Sequence, residues 1–168
     1  YFMVCLSTGF LIILIILNQK GLSDHEYTLE NLTVLNCWTL GVKDSGTAQA
    51  LDYVDKPSFS VSFTTVDLYC QDIPIGLIKL DVDGYELRVL NGARKTIDRD
   101  RPPIYFELSY LPKLIGDSID ELIAFIVRAK YSIMSLDGKY VTNEIGLIKH
   151  FFPMHTSFDV MLMPNELI

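Results

Sequence analysis

The residues best suited to chemistry lie close together in Lys79-Leu80-Asp81-Val82-Asp83-Gly84-Tyr85-Glu86. The apolar run from Ile75 to Val82 is broken by Lys79 and Asp81, the pattern of a central parallel strand with polar groups near its C-terminal end. The two-residue period of a strand puts Lys79 and Asp81 on one side, and Asp83 follows where the strand gives way to a helix. Glu107 ends the next strand, Ile104-Tyr105-Phe106-Glu107-Leu108, and is expected to point into the same crevice. Open α/β sheets bind ligands outside the carboxyl ends of their strands. Carboxylates there can take a proton from a substrate or hold a hard cation.

Each of these residues also has a plainer reading. Asp83 with Glu86 fits the Asp-x-x-Glu form of a helix N-cap with a reciprocal partner. Pairing of Lys79 with Asp81, or with Glu107, accounts for charges that would cost several kcal/mol alone in a central strand. By residue type, Asp81, Asp83, Glu86 and Glu107 suit a divalent metal, but no metal is assigned. His25, His150 and His155 show no ligand spacing relative to one another or to a cysteine. The sequence has neither a nucleophile elbow nor a phosphate-cradling glycine loop.

The elements that must position these groups alternate. Strands are expected over residues 32–37, 58–63, 75–82, 104–108, 131–136 and 158–163. The stripe of Leu87, Val89, Leu90, Ala93 and Ile97 predicts a helix that ends before Pro102 and Pro103. A capping box of Ser118 and Glu121 predicts another, with Ile119, Leu122, Ile123, Phe125, Ile126 and Ala129 facing the core. Asp137-Gly138 is a turn signal, and residues 41–46 read as a loop. This order predicts an α/β layered sheet with helices on both faces and an antiparallel edge at the C-terminus.

At 168 residues and 49% hydrophobic content, the chain is long enough for one domain with a sizeable core. Its 21 Asp and Glu against 14 Lys and Arg give a net charge of -7, which argues against a nucleic-acid partner. Cys5, Cys37 and Cys70 form neither a disulfide framework nor a zinc pattern, and point to a reducing, cytoplasmic setting. Residues 2–17 carry no charge, with Asn18 to Gly21 resembling a helix end. This segment is expected to be a helix buried against the sheet; the alternative is a membrane anchor at the short edge of spanning length.

Several blocks together resemble the FkbM-type methyltransferases: Thr65-Val66-Asp67-Leu68, the block from Leu77 to Glu86, Val89-Leu90-Asn91-Gly92-Ala93, and Arg101-Pro102-Pro103-Ile104-Tyr105-Phe106-Glu107. The long central block is the specific part. The resemblance implies a Rossmann-like methyltransferase sheet, mostly parallel, and methyl transfer from S-adenosylmethionine to a hydroxyl of a sugar, glycan or secondary metabolite. It makes residues 1–22 the helix after the second strand of the sheet and puts the first strand, the glycine-rich loop and the second strand before Tyr1. Residues 1–168 are thus expected to be a partial, N-terminally truncated class I methyltransferase domain. It places Asn36, Cys37 and Trp38 beside the adenine, and Asp83 where the family more often has glutamate. Asp81 is then expected to border the cofactor nearest the methyl group, as acceptor-orienting carboxylate or base, with Lys79 positioning it and Glu107 orienting the acceptor or sharing a metal with Asp81. The rival expectation is a non-catalytic member of the same fold.

Overall fold

Along Ile104–Ser109 the odd-numbered side chains up to Glu107 are half-buried while Ile104, Phe106 and Leu108 are fully buried, so this strand has one face in the core. It belongs to a five-stranded sheet in a computed structural model that describes residues 2–8, 12–32, 59–151 and 157–168. The described elements in chain order begin with β1 (Phe2–Thr8), β2 (Ile12–Asn18), β3 (Gly21–Leu22), β4 (Tyr27–Leu32) and β5 (Phe59–Thr64). Then come α1 (Val66–Tyr69), β6 (Ile78–Leu80), α2 (Glu86–Asn91), α3 (Arg94–Asp100), β7 (Ile104–Ser109), α4 (Leu111–Leu114) and α5 (Ile119–Arg128). The chain closes with β8 (Tyr131–Ser135), β9 (Val141–Thr142), α6 (Ile145–Phe151), β10 (Ser157–Pro164) and a 3-10 turn at Asn165–Leu167.

The main sheet has the order β6-β7-β10-β8-β9. β6 and β7 pair in parallel through the α2 and α3 crossover, and β10 runs antiparallel to both β7 and β8. Strands β6, β7 and β8 therefore share one direction, as the alternation of strands and helices predicts. The expected mostly parallel ladder is corrected, because among the described residues only the β6–β7 pair of this sheet is parallel. The C-terminal strand is also not an edge: β10 slots between β7 and β8, and the Asp137-Gly138 turn adds β9 outside them. That turn closes with Gly138 donating to the Ser135 carbonyl at 2.8 Å.

A single core cluster joins Leu80, Phe106, Leu162 and Ile133 from one face of the sheet to Leu87, Leu90, Ile97, Leu122 and Ile126 from the helices. Helices on both faces were expected; the core of the described residues covers one. The opposite face carries the cross-strand row Lys79, Tyr105, Met161 and Met134. The predicted stripe is buried as expected but is split between α2 and α3 at Gly92, where a Cβ would collide with the Ser23 carbonyl oxygen. α5 starts as predicted, with the Ser118 hydroxyl accepting the Glu121 N–H at 3.3 Å.

The apolar opening segment is not a helix. β1 and β2 pair antiparallel, from Phe2 opposite Asn18 to Thr8 opposite Ile12. A short apolar run is ambiguous between buried helix and strand by periodicity, and the Ile12-Ile13-Leu14-Ile15-Ile16 run has the β-branched content that favours a pleated strand. The reading of Asn18 to Gly21 as a helix end falls with it, since Gly21 opens β3, parallel to β5. Among the described residues no helix is long and apolar enough to cross a membrane. The strand expected over residues 32–37 and the loop at residues 41–46 lie outside the described residues, apart from Leu32 at the end of β4.

Candidate active site

At the C-terminal end of β6, alternation directs Leu80 into the core and Lys79 outward. Lys79 and Asp81 meet as the two-residue period predicts: the ammonium donates to Asp81 Oδ2 at 2.9 Å. That hydrogen bond holds the Lys79 amine above its ordinary range, and the charge of Asp81 acts in the same direction. β6 is the end strand of its sheet among the described residues, and the Lys79 and Asp81 side chains are 64% and 41% exposed. Water solvates both charges, so their pairing need not offset the desolvation of an inner strand.

The turn after β6 differs from the expected cap. Asp83 is left-handed with φ 51° and does not cap α2, whose N-cap is Tyr85 without a side-chain bond. Gly84 follows at φ 104°, and a Cβ there would come within 3.0 Å of the Leu111 backbone. Glu86 ties the turn from the helix side: its Oε1 accepts the N–H groups of Val82 and Gly84, each at 3.2 Å. Burial pushes the Asp83 carboxyl above its ordinary range, with the charge of Asp81 adding to it.

Glu107 lies on the face of β7 that carries Tyr105, directly opposite Asp159 of β10. The Tyr105 hydroxyl donates to Asp159 Oδ2 at 2.7 Å, a bond that raises the phenol's proton affinity. Glu107 Oε2 is shut off from solvent and has no hydrogen-bond partner among the described residues. The strand ends thus combine a Lys79–Asp81 pair, a Tyr105–Asp159 pair and Glu107 on the sheet face turned away from the core.

Of the residues picked from the sequence, Lys79 and Asp81 are in contact, and Glu107 sits on the neighbouring strand. Asn36, Cys37 and Trp38 lie outside the described residues. Among the described residues no three His, Cys, Asp or Glu side chains gather as metal ligands, and Glu86 is turned to backbone N–H groups. Sequence reasoning missed Tyr105 and Asp159. Tyr105 had a signal in its spacing of two from Glu107, whereas Asp159 depends on an antiparallel register that only pairing reveals.

The family blocks do structural work around this site. Thr65 caps α1 by accepting the Leu68 N–H at 3.1 Å, and Asp67 caps α3 by accepting Lys95 and Thr96 N–H at 3.0 and 2.8 Å. Arg101, left-handed at the end of α3, binds the Ala129 and Lys130 carbonyls and Glu166, and Tyr131 donates to the Pro102 carbonyl at 2.9 Å. The family model described as the Methyltransferase FkbM domain matches residues 13–133. The chain belongs to the FkbM methyltransferase family. The match spans β6, the turn with Asp83 and Gly84, and β7 with Glu107, so the strand ends described above fall within the FkbM methyltransferase domain. No curated protein and no solved structure matches the chain.

Proposed function

We propose that this FkbM-family chain is an S-adenosylmethionine-dependent O-methyltransferase whose reaction centre is the C-terminal end of β6 and β7. The observation that carries the reading is the Lys79–Asp81 pair at the end of β6, beside Glu107, inside the family match. The strand order β6-β7-β10-β8 is read as part of the Rossmann-like methyltransferase sheet that the family implies. The donor set fits the cofactor by charge, because Asp81, Asp83 and Glu107 complement a sulfonium cation.

S-adenosylmethionine supplies the methyl group when bound. The chain's own task is to hold an acceptor oxygen in line and remove its proton. Lys79 takes Asp81 Oδ2, which leaves Oδ1 to accept the hydrogen bond of an acceptor hydroxyl and then its proton as the new carbon–oxygen bond forms. Lys79 acts as a positioning residue by fixing the carboxylate through its hydrogen bond to Oδ2. Glu107 orients the acceptor from the adjacent strand. These roles suit a small-molecule or glycan hydroxyl as the acceptor class.

Titration calorimetry with S-adenosylmethionine tests the reading. Saturable one-to-one heat supports it, and no heat favours a non-catalytic member of the family.

A further inference from the structure

The chain has five arginines, and three are held by carboxylates: Arg88 by Asp117, Arg99 by Asp100 and Arg101 by Glu166. The other two are Arg94, at the start of α3, and Arg128, at the end of α5; among the described residues neither has a carboxylate partner. Both line one cleft of about 200 Å³, together with Ile97, Asp98, Phe125 and Ala129. In a chain of net charge -7, where carboxylates are in excess, the two unpaired guanidiniums thus share one concave site.

The cleft is ordered before any ligand arrives. Arg94 donates through Nε and Nη2 to Asn91 Oδ1 at 3.1 and 2.6 Å, and its guanidinium carbon lies 5.4 Å from the centroid of the Phe125 ring. These bonds use one edge of the planar fork and leave Nη1 for an outside acceptor. Asp98 lies one turn beyond Arg94, a spacing that suits an ion pair, yet it pairs with neither arginine. Ile97 and Phe125 are buried and give the cleft an apolar floor. The N–H groups of Lys95 and Thr96 at the start of α3 already bind Asp67, so an anion here is met by side chains and not by the helix end.

We propose that this cleft binds a small organic anion, with a phosphate or carboxylate group on the Arg94 and Arg128 guanidiniums and an apolar body against Phe125 and Ile97. Guanidiniums hold such oxyanions through charge-assisted hydrogen bonds, and an apolar pocket with a few convergent polar groups is the usual form of a small-molecule site. Asp98 limits the net charge of the lining to a single positive charge, which disfavours polyanions such as nucleic acid. None of the strand-end residues lines this cleft, so the inference stands apart from the methyl-transfer reading and its test needs no turnover.

Nuclear magnetic resonance of the full chain carrying nitrogen-15-labelled arginine, titrated with phenyl phosphate, benzoate and inorganic phosphate, tests the site. Two of the five Nε–H signals, identified by their loss in Arg94→Gln and Arg128→Gln, are expected to shift together and saturably with phenyl phosphate or benzoate. The tighter of those two identifies the head group. Inorganic phosphate, which has no apolar body, is expected to bind about tenfold more weakly than phenyl phosphate. Arg128→Gln should weaken binding of the tighter probe by about tenfold, and Asp98→Asn should strengthen it. Absence of a saturable shift with all three probes overturns the proposal, as do equal shifts at Arg88, Arg99 and Arg101, which mark an unspecific ion effect.

Discussion

Lys79 reaches past buried Leu80 to hold Asp81 Oδ2 at 2.9 Å on the outward side of β6. An exposed pair of this kind contributes little to folding, and the charge it fixes is available for chemistry. The expected effect of Lys79→Met is a stability change under about 1 kcal/mol with a clear fall in methyl transfer. Urea denaturation and an initial-rate assay on one preparation separate the two effects; a stable and fully active variant shows that Lys79 is dispensable to both.

Asp67 supplies α3 with the N-terminal cap that its own N-cap residue, Ala93, lacks. Asp67→Ala leaves those N–H groups without their acceptor and removes a negative charge from the positive end of the helix dipole. A loss of about 1 kcal/mol, at most about 2, is expected. It should appear as a lower urea midpoint with an unchanged slope, and an unmoved midpoint contradicts the capping role.

Gly92 marks the close approach of the α2–α3 junction to the Ser23 backbone. Gly92→Ala forces one of two backbone segments to move, at about 1 to 3 kcal/mol as for overpacking elsewhere. A melting temperature equal to wild type contradicts this account of the family's Asn91-Gly92-Ala93 block.

Arg101 clamps the C-terminal turn through Glu166, with Nε to Oε1 at 2.7 Å. That hydrogen bond draws the Glu166 carboxyl down to about 2 from an ordinary 4.5. A folded-state value below the unfolded one means that the contribution is present above pH 4.5 and is lost as pH falls toward 2. Wild type is therefore expected to be more stable than Glu166→Gln at neutral pH, with the two curves converging across that acidic window. Parallel curves refute the clamp.

Burial raises the Glu86 carboxyl, which gives it the opposite sign. Its stabilising share is complete below the ordinary value of 4.5 and declines as pH rises through the higher folded value. Glu86→Gln should flatten that decline, as measured by denaturant midpoints from acid to alkaline pH; an unchanged slope argues against a buried titrating acid at this position.

The sequence made the elements around the site legible wherever period and punctuation agreed. Leu87, Leu90 and Ile97 showed the helix face, Ser118 its cap, and Asp137-Gly138 the last turn. A period of two put Lys79 and Asp81 on one side, while the choice of Asp81 over Glu107 as the partner of Lys79 came from the structure. Pairing was not legible: nothing local tells that β10 inserts between β7 and β8, so Asp159 stayed hidden. Residues 2–17 misled because an apolar run broken only at Ser7, Thr8 and Gly9 carries no clear period, and β-branching was the signal to weigh. Asp83 and Glu86 misled because one spacing fits both a forward cap and a reach back to the turn, and the left-handed Asp83-Gly84 pair selects the second.

The most direct test follows labelled methyl groups from S-adenosylmethionine into a panel of small polyols and glycans, for wild type and Asp81→Asn together. The account predicts transfer by wild type to at least one hydroxyl acceptor, with Asp81→Asn binding the donor comparably yet transferring about 10² to 10⁴ times more slowly. Transfer by Asp81→Asn at the wild-type rate would contradict it.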